Sequence, residues 1–296
     1  MMRHQSLPEI ILLEYKNSDA LVSTSWLERN LGKSKLSIVD ATYYLPNDGR
    51  NAEESYTLRH IPGAVFFNID KICDSTVNLP HMLPSPEKFS LQVSKLGLGD
   101  HNRIVIYDSS GGFLAACRVW WMFRIFGHMD VAILDGGLPK WNHEKRPISK
   151  HEVRPQKQHF SAKINYKMVK NIYQMLENIE KESFQVIDAR TPGRYYGNDP
   201  EPRPTKKVGH IPGSINLPFP VLMNPKDHFT FKSADAIKAA FDDVGIDINK
   251  PTTASCGSGV TAAVITFALY LIGYAEGAIY DGSWAEWGDH TKTKVV

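Results

Sequence analysis

The sequence predicts an α/β fold in which a domain with a mainly parallel sheet, flanked by helices, occurs twice in tandem. Two observations support this prediction. Short apolar runs rich in β-branched residues, such as LSIVDA, RIVIYD and FQVIDA, alternate with helical stretches, as they do where parallel strands carry helices on both faces. Matching segments also recur in the same order in both halves of the 296-residue chain, a length that suffices for two ordinary domains.

Four segments of the first half have a counterpart in the second half. The pairs are SIVDATYYL and QVIDARTPG, RHIPGAVFFNI and GHIPGSINLPF, LGLGDHNRIVIYDSSGG and VGIDINKPTTASCGSGV, and ILDGGLPKW and IYDGSWAEW. Their offsets lie between 146 and 150 residues, and this constancy indicates a duplicated domain. We predict an N-terminal domain over residues 21–142, an exposed polar linker over 143–165 and a C-terminal domain over 166–290.

Individual elements follow from local signals. The serines and threonine at 23–25 before WLERNL, and Ser233 before ADAIKAAFDDV, predict helix caps. PTTAS before Cys256 predicts a strand, and the apolar run 260–274 predicts the helix after it. This run has fifteen residues, which is too short for a membrane span.

Composition excludes several classes of partner. The net charge is +2, with 34 basic and 32 acidic residues, so neither nucleic acid nor a membrane is expected as a partner. The first residues show no signal or transit peptide, and a cytoplasmic protein is expected. The three cysteines, Cys73, Cys117 and Cys256, have no short spacing, which argues against disulfides and zinc and fits a reducing compartment.

The stretch TASCGSGVTAA is the strongest chemical signal. Cys256 stands at the predicted carboxyl end of a strand, where open α/β sheets place ligands, and a glycine-rich turn leads from it into a helix. Such a turn directs backbone N–H groups and the positive helix end toward the sulfur, and these favour a nucleophilic thiolate. The predicted cradle for this sulfur consists of Gly257, Ser258, Gly259, Val260 and Thr261.

The other cysteines and the first copy lack this arrangement. Cys73 and Cys117 have no glycine cradle and are interpreted as packing residues. Asp108 stands where the second copy has Cys256, so the N-terminal domain is predicted to be non-catalytic.

Three kinds of chemistry use such a loop. A phosphate-binding P-loop requires a lysine that is missing here. A cysteine phosphatase requires an arginine six residues after the cysteine, where this chain has Ala262. Sulfur transfer through a persulfide needs only a small pocket lined by donors. An ordinary buried thiol and a redox sensor are the remaining alternatives.

The sequence CGSGVTAA, the paired HIPG turns, the DGG…W and DGS…W segments and the duplication resemble the tandem rhodanese-domain sulfurtransferases over about residues 21–288. The neutral Gly257 and Ser258 resemble the 3-mercaptopyruvate sulfurtransferases, whereas thiosulfate sulfurtransferases carry basic residues there. The resemblance implies that Cys256 takes sulfur from 3-mercaptopyruvate, releases pyruvate and passes the sulfur to a thiol, to thioredoxin or to cyanide. It implies no metal and no organic cofactor.

Two other functions stay open at this point. One is a thiosulfate:cyanide sulfurtransferase, and the other is a non-catalytic sulfur carrier or scaffold that docks a partner.

The resemblance also assigns further site residues. It implies that Arg194 and Arg203 bind the carboxylate and keto oxygen of the substrate. It implies a proton-handling group formed by Ser258 with His81 and Asp70, although those two residues could instead stabilise the surface between the domains.

Several neighbouring residues are interpreted as structural. Arg190 is expected to form ion pairs within its domain, and Lys206 and Lys207 are expected to lie in solvent. His60 and His210 occur in both copies, which favours a role in the HIPG turn. Five tryptophans are expected in the core or in the domain contact: Trp120, Trp121, Trp141, Trp284 and Trp287.

Overall fold

The first copy folds around a five-stranded parallel sheet. The computed structural model describes residues 14–110, 115–274 and 277–296. The strands of the first sheet are β1 (Leu21–Val22), β2 (Leu36–Asp40), β3 (Ala64–Phe66), β4 (Arg103–Tyr107) and β5 (Val131–Leu134). The helices of this copy are α1 (Thr24–Asn30), α2 (Ala52–Leu58), α3 (Pro86–Lys95), α4 (Ala116–Ile125) and α5 (Gly137–His143).

The second copy repeats this sequence of elements. Its parallel strands are β6 (Val169–Lys170), β7 (Gln185–Asp188), β8 (Ser214–Asn216), β11 (Thr252–Ser255) and β12 (Ala278–Tyr280). Its helices are α6 (Ile172–Lys181), α7 (Pro192–Tyr195), α8 (Ala234–Asp243), α9 (Ala262–Leu271) and α10 (Ser283–Trp287). A short antiparallel hairpin of β9 (Met223–Asn224) and β10 (Thr230–Phe231) is inserted before α8.

The two sheets share one topology. The strand order is β1-β5-β4-β2-β3 in the first sheet and β6-β12-β11-β7-β8 in the second. Corresponding strands occupy corresponding places, and neighbouring strands are parallel throughout both sheets. The predicted α/β fold and the predicted duplication are therefore confirmed.

Local signals placed the helix starts correctly. The Ser23 hydroxyl accepts the amide of Trp26 at the start of α1, and Ser233 accepts the amide of Ala236 at the start of α8. The helix predicted over 260–274 is shorter, because residues 260 and 261 belong to the loop after Cys256 and Gly273 (φ +107°) follows the helix. Across the described ranges, no helix combines the length and apolarity needed to cross a membrane.

Helices α4 and α9, which follow the Asp108 and Cys256 positions, pack against each other between the domains. All ten residues of α4 are buried. Trp120 meets Phe267 edge-on, with ring centroids 4.8 Å apart, and the Arg124 guanidinium lies 4.1 Å from the Tyr270 ring centroid. Trp120 thus forms the predicted domain contact, while Trp141, Trp284 and Trp287 lie in the cores of their own domains.

The segment 143–165 runs along the first domain. The Gln158 amide donates to the Ser94 carbonyl over 3.2 Å, so the segment follows α3. Most of its residues are exposed, but Phe160 is buried against Phe89 and Phe123. One aromatic side chain therefore anchors a segment that is otherwise polar.

Candidate active site

Cys256 follows strand β11 directly and is only 2% exposed. We call residues 256–261 the Cys256 loop. Helix α10 holds this loop from behind: the Cys256 amide donates to the Ser283 hydroxyl (3.2 Å), and the amides of Trp284 and Ala285 donate to the carbonyls of Cys256 and Gly257 (2.9 Å each). The start of the loop is therefore fixed by a neighbouring element.

The remaining amides of the Cys256 loop are available to a ligand. Within the described part of the chain, the N–H groups of residues 257–261 donate to no protein acceptor. Gly259 has a φ of +73°, and a Cβ at this position would lie 2.9 Å from the Asp281 carbonyl oxygen and 3.0 Å from Nη1 of Arg118. Only glycine fits this curl without strain. Free donors in a loop that begins at a thiol are suited to an anionic ligand or sulfur.

The first copy shows what occupies the equivalent position there. Oδ1 of Asp108 accepts the Ser110 amide (3.1 Å), and Oδ2 accepts the amides of Ala115 (3.2 Å) and Ala116 (3.1 Å). Burial raises the pKa of this carboxyl, and the amide hydrogen bonds oppose that shift. The side chain thus uses donors of its own loop and offers no nucleophilic sulfur. The glycines predicted for this loop, at 111 and 112, lie outside the described residues.

A cavity of about 220 Å³ opens in front of Cys256 between the two domains. The first domain contributes Tyr43 and Leu45 to its wall. Both predicted arginines, Arg194 and Arg203, also line it. The cysteine, two cations and the first domain therefore meet in one small space.

Arg194 lies directly against the Cys256 loop. Its Nε is 3.1 Å from Oε2 of Glu201, and its Nη2 donates to the same oxygen. A Cβ on Gly257 would come within 2.6 Å of that Nη2. The Arg194 side chain is 21% exposed and lines the cavity, while Glu201 fixes its position.

Arg203 also lines the cavity and connects the two domains. Its Nη2 donates to the Tyr43 hydroxyl (2.7 Å) and to Nε2 of His81 (3.0 Å). Tyr43 and His81 both come from the first domain, from the segments after β2 and β3. The position of this cation thus depends on the domain contact.

His81 and Asp70 lie next to each other, as predicted, but the other ring nitrogen of His81 contacts Arg203 and not Ser258. Nδ1 of His81 lies 3.2 Å from Oδ1 of Asp70, without the alignment of a good hydrogen bond. Because an arginine can only donate, Nε2 accepts and the proton of the neutral ring is on Nδ1. Burial lowers the pKa of His81, which favours this neutral form.

Ser258 is not joined to that pair. Ser258 lines the cavity, whereas the contacts of His81 are with Asp70 and Arg203. The contacts therefore support the role of His81 and Asp70 at the domain surface, and their part in proton transfer stays a prediction.

The outcomes for the neighbouring basic residues differ. Arg190 is buried and pairs with Asp188 (2.7 Å) and Glu201 (2.8 Å), which confirms the expected ion pairing. Lys206 is exposed, as expected. The expectation for Lys207 is wrong: its Nζ donates to the carbonyls of His290 (2.6 Å) and Thr293 (2.7 Å), because the C-terminal segment packs over this loop.

The residues interpreted as structural make structural contacts. Nδ1 of His60 lies 2.8 Å from the Tyr56 carbonyl oxygen, and the His60 ring stacks on the Tyr56 ring. In the second copy, Nδ1 of His210 lies 3.1 Å from the Tyr195 carbonyl oxygen, and the His210 ring stacks on the Tyr195 ring. Both turns are thus built alike, as the duplication predicted.

The two other thiols are unsuited to nucleophilic attack. Burial raises the pKa of Cys73 and, more strongly, that of Cys117, so both favour the protonated form. Their interpretation as packing residues agrees with this burial.

Sequence reasoning missed several residues that shape the site. They are Tyr43, Arg118, Glu201, Asp281 and Ser283. A signal existed for Arg118, because it and Arg124 are the two charged residues of the otherwise apolar helix α4. A buried arginine needs acceptors nearby, but the sequence does not reveal which ones.

The duplicated fold, with a glycine-flanked cysteine in its second copy, defines a tandem rhodanese-like protein. The model of the rhodanese-like domain matches residues 23–144 and 171–290. The chain belongs to the rhodanese-like family.

Relatives extend this assignment. Human 3-mercaptopyruvate sulfurtransferase is 42% identical over 273 residues, which cover 90% of this chain and 91% of that protein. Bovine thiosulfate sulfurtransferase is 42% identical over 274 residues, with the same coverage of 90% and 91%. The crystal structure of SseA from Escherichia coli, described as a 3-mercaptopyruvate sulfotransferase, matches with a TM-score of 0.81 and 36% identity over 90% of this chain and 99% of that one.

Proposed function

We propose that this protein transfers the sulfur of 3-mercaptopyruvate through a persulfide on Cys256 and releases pyruvate. The observation that carries the proposal is a buried thiol followed by a loop whose amides have no acceptor among the described residues, in a cavity that two arginines line. The human relative named for this activity supports it. The non-catalytic first domain supplies part of the cavity wall.

The reaction follows from these groups. The Cys256 thiolate attacks the sulfur of the donor, a sulfur–sulfur bond forms, and the carbon–sulfur bond breaks. The electron pair of that bond leaves on carbon as the enolate of pyruvate, which then takes up a proton. The loop amides stabilise the negative charge on the sulfur atoms. An acceptor thiolate then attacks the outer sulfur and restores the Cys256 thiolate.

The two arginines are suited to the rest of the donor. A planar guanidinium binds a carboxylate or a keto oxygen with charge-assisted hydrogen bonds. Arg194 lies against Gly257, the residue after the nucleophile. Arg203 lies where the second domain contacts Tyr43 of the first domain. Substrate held between them would present its sulfur to Cys256.

The loop chemistry favours 3-mercaptopyruvate over thiosulfate. Thiosulfate is a dianion, and Gly257 and Ser258 add no charge beside the sulfur. The bovine relative is named for thiosulfate, so a thiosulfate activity is the second candidate. The ratio of kcat/KM for the two donors distinguishes them.

We assign proton transfer to Ser258, assisted by His81 and Asp70. Ser258 lines the cavity with no partner among the described residues, so its hydroxyl is free to contact a bound donor. In this structure Arg203 donates a hydrogen bond to Nε2 of His81, the ring nitrogen that such a relay would use. A relay therefore requires substrate to draw Arg203 away from His81.

The acceptor and the location are also proposals. A small thiol, reduced thioredoxin or cyanide can attack an outer persulfide sulfur, and we propose these classes as acceptors. The cytoplasm stays the predicted location.

The experiment treats the purified chain and its Cys256→Ser variant with 3-mercaptopyruvate or thiosulfate. We expect a mass increase of about 32 Da on Cys256 in the unchanged chain only. With 3-mercaptopyruvate as donor, pyruvate release should accompany it. A folded variant that still turns over would exclude Cys256 as the nucleophile. A chain that gains no sulfur from either donor would be a scaffold, and a higher kcat/KM for thiosulfate would reverse the order of the donors.

A further inference from the structure

A buried arginine of the non-catalytic domain reaches the Cys256 loop. Arg118 lies on α4 and is fully buried. Its Nη1 donates to the carbonyl oxygen of Gly259 over 3.2 Å. Its Nη2 donates to Asp281 Oδ1 (2.7 Å) and to the His81 carbonyl oxygen (2.6 Å). One guanidinium therefore connects α4, the Cys256 loop, the segment after β12 and the segment that carries His81.

The charge of Arg118 is balanced where it lies. Asp281 is buried and follows β12, two residues before Ser283, which accepts the Cys256 amide. The second oxygen of Asp281 accepts the Leu83 amide over 2.8 Å. The pair therefore adds little net charge to the cavity, and its effect must come from geometry.

The contact with Gly259 fixes the direction of a peptide group. In a trans peptide the C=O and the following N–H point in opposite directions. A Gly259 carbonyl held by Arg118 therefore turns the Val260 N–H away from α4. Val260 lines the cavity in front of Cys256. The left-handed φ of Gly259 is the bend that allows this orientation.

We propose that Arg118 is a positioning residue for the Cys256 loop, through which the non-catalytic domain keeps the loop amides directed toward the sulfur. Arg118 lies behind the loop and is not a catalytic residue. The proposal rests on the proposed function only where turnover is measured, since the reactivity of the thiol reports loop geometry without any donor.

Arg124 provides a matched control. It lies on the same helix, is also buried, and donates to the Tyr270 hydroxyl over 3.2 Å across the same interface. It has no hydrogen bond to the Cys256 loop. A lysine in place of either arginine keeps the charge but cannot bridge several acceptors as a guanidinium does.

The test compares Arg118→Lys, Arg124→Lys and the unchanged chain. The measurements are the rate of iodoacetamide alkylation of Cys256 at pH 7, located by mass spectrometry, kcat and KM for 3-mercaptopyruvate, and the urea midpoint. We expect Arg118→Lys to slow alkylation at least fivefold and to lower kcat at least tenfold, with KM changed less than threefold. Arg124→Lys should stay within twofold of the unchanged chain in alkylation rate, kcat and KM.

Two results would overturn the proposal. One is an alkylation rate and a kcat of Arg118→Lys within twofold of those of the unchanged chain. The other is an equal loss of alkylation rate and kcat in Arg118→Lys and Arg124→Lys. If Arg118→Lys does not fold, Asp281→Asn releases the same guanidinium and should slow alkylation at least threefold. Failure of both variants to fold would show that Arg118 serves general stability instead. Rapid alkylation of an unchanged chain that does not use 3-mercaptopyruvate would refute the proposed function and leave the comparison of the arginines valid.

Discussion

A methyl group on Gly257 would test whether Arg194 binds the substrate. The Cβ of Gly257→Ala would lie 2.6 Å from Nη2 of Arg194, whereas an ordinary contact starts at 3.4 Å, so the guanidinium must withdraw by about 0.8 Å. The backbone of Gly257 does not lie in the left-handed region, so alanine fits the main chain itself. The perturbation therefore acts on the arginine.

The expected size follows from the bond that is lost. A hydrogen bond with a charged partner contributes about 1.5–3 kcal/mol. Loss of one such bond to the substrate raises KM by roughly 10- to 150-fold, since about 1.4 kcal/mol corresponds to a factor of ten. The alkylation rate of Cys256 should stay within about threefold, because the bonds that α10 makes to the loop are unchanged. Steady-state kinetics with 3-mercaptopyruvate measure the first quantity.

A double-mutant cycle shows whether the methyl acts through Arg194. Arg194→Ala alone should also raise KM, and adding Gly257→Ala to it should have almost no further effect. The reasoning fails if Gly257→Ala raises KM equally in both backgrounds, or leaves KM unchanged in the normal one. In the second case Arg194 would not contact the substrate.

Two further predictions concern stability. Gly259→Ala should lower the free energy of unfolding by more than Gly245→Ala. Both positions have a left-handed φ (+73° and +78°), which costs a non-glycine residue about 1–2 kcal/mol. Of these two positions, only Gly259 would also place the new Cβ against a backbone oxygen, at 2.9 Å, so equal losses in urea titrations would contradict this prediction. Because burial lowers the pKa of His81, the unfolded chain binds a proton there before the folded chain does, so stability should fall as the pH drops below about 6.5. Between pH 7 and 5, the variant His81→Gln should lose less free energy of unfolding than the unchanged chain. Equal losses in urea titrations of the two proteins would refute the assignment.

Much of the fold could be predicted because its signals are local. Alternation of apolar β-branched runs with helical stretches gave the strands, and Ser23 and Ser233 marked helix starts where their hydroxyls accept backbone amides. The recurrence of four segments predicted the duplication without reference to contacts. Glycine on both sides of Ser258 indicated the turn at Cys256, because glycine adopts the positive φ found at Gly259 without strain.

The sequence by itself thus determined the two copies of the domain and indicated the cysteine and the two arginines that line one cavity. Only the tertiary structure decided that Arg203 contacts His81, that Lys207 holds the C-terminal segment, and that Arg118 holds a carbonyl 141 residues away. The physical reason is that backbone conformation depends on neighbouring residues, which a sequence displays, whereas the partner of a buried charge depends on which surfaces meet. For Arg118 and Arg203 those surfaces belong to two domains whose relative packing no local pattern encodes.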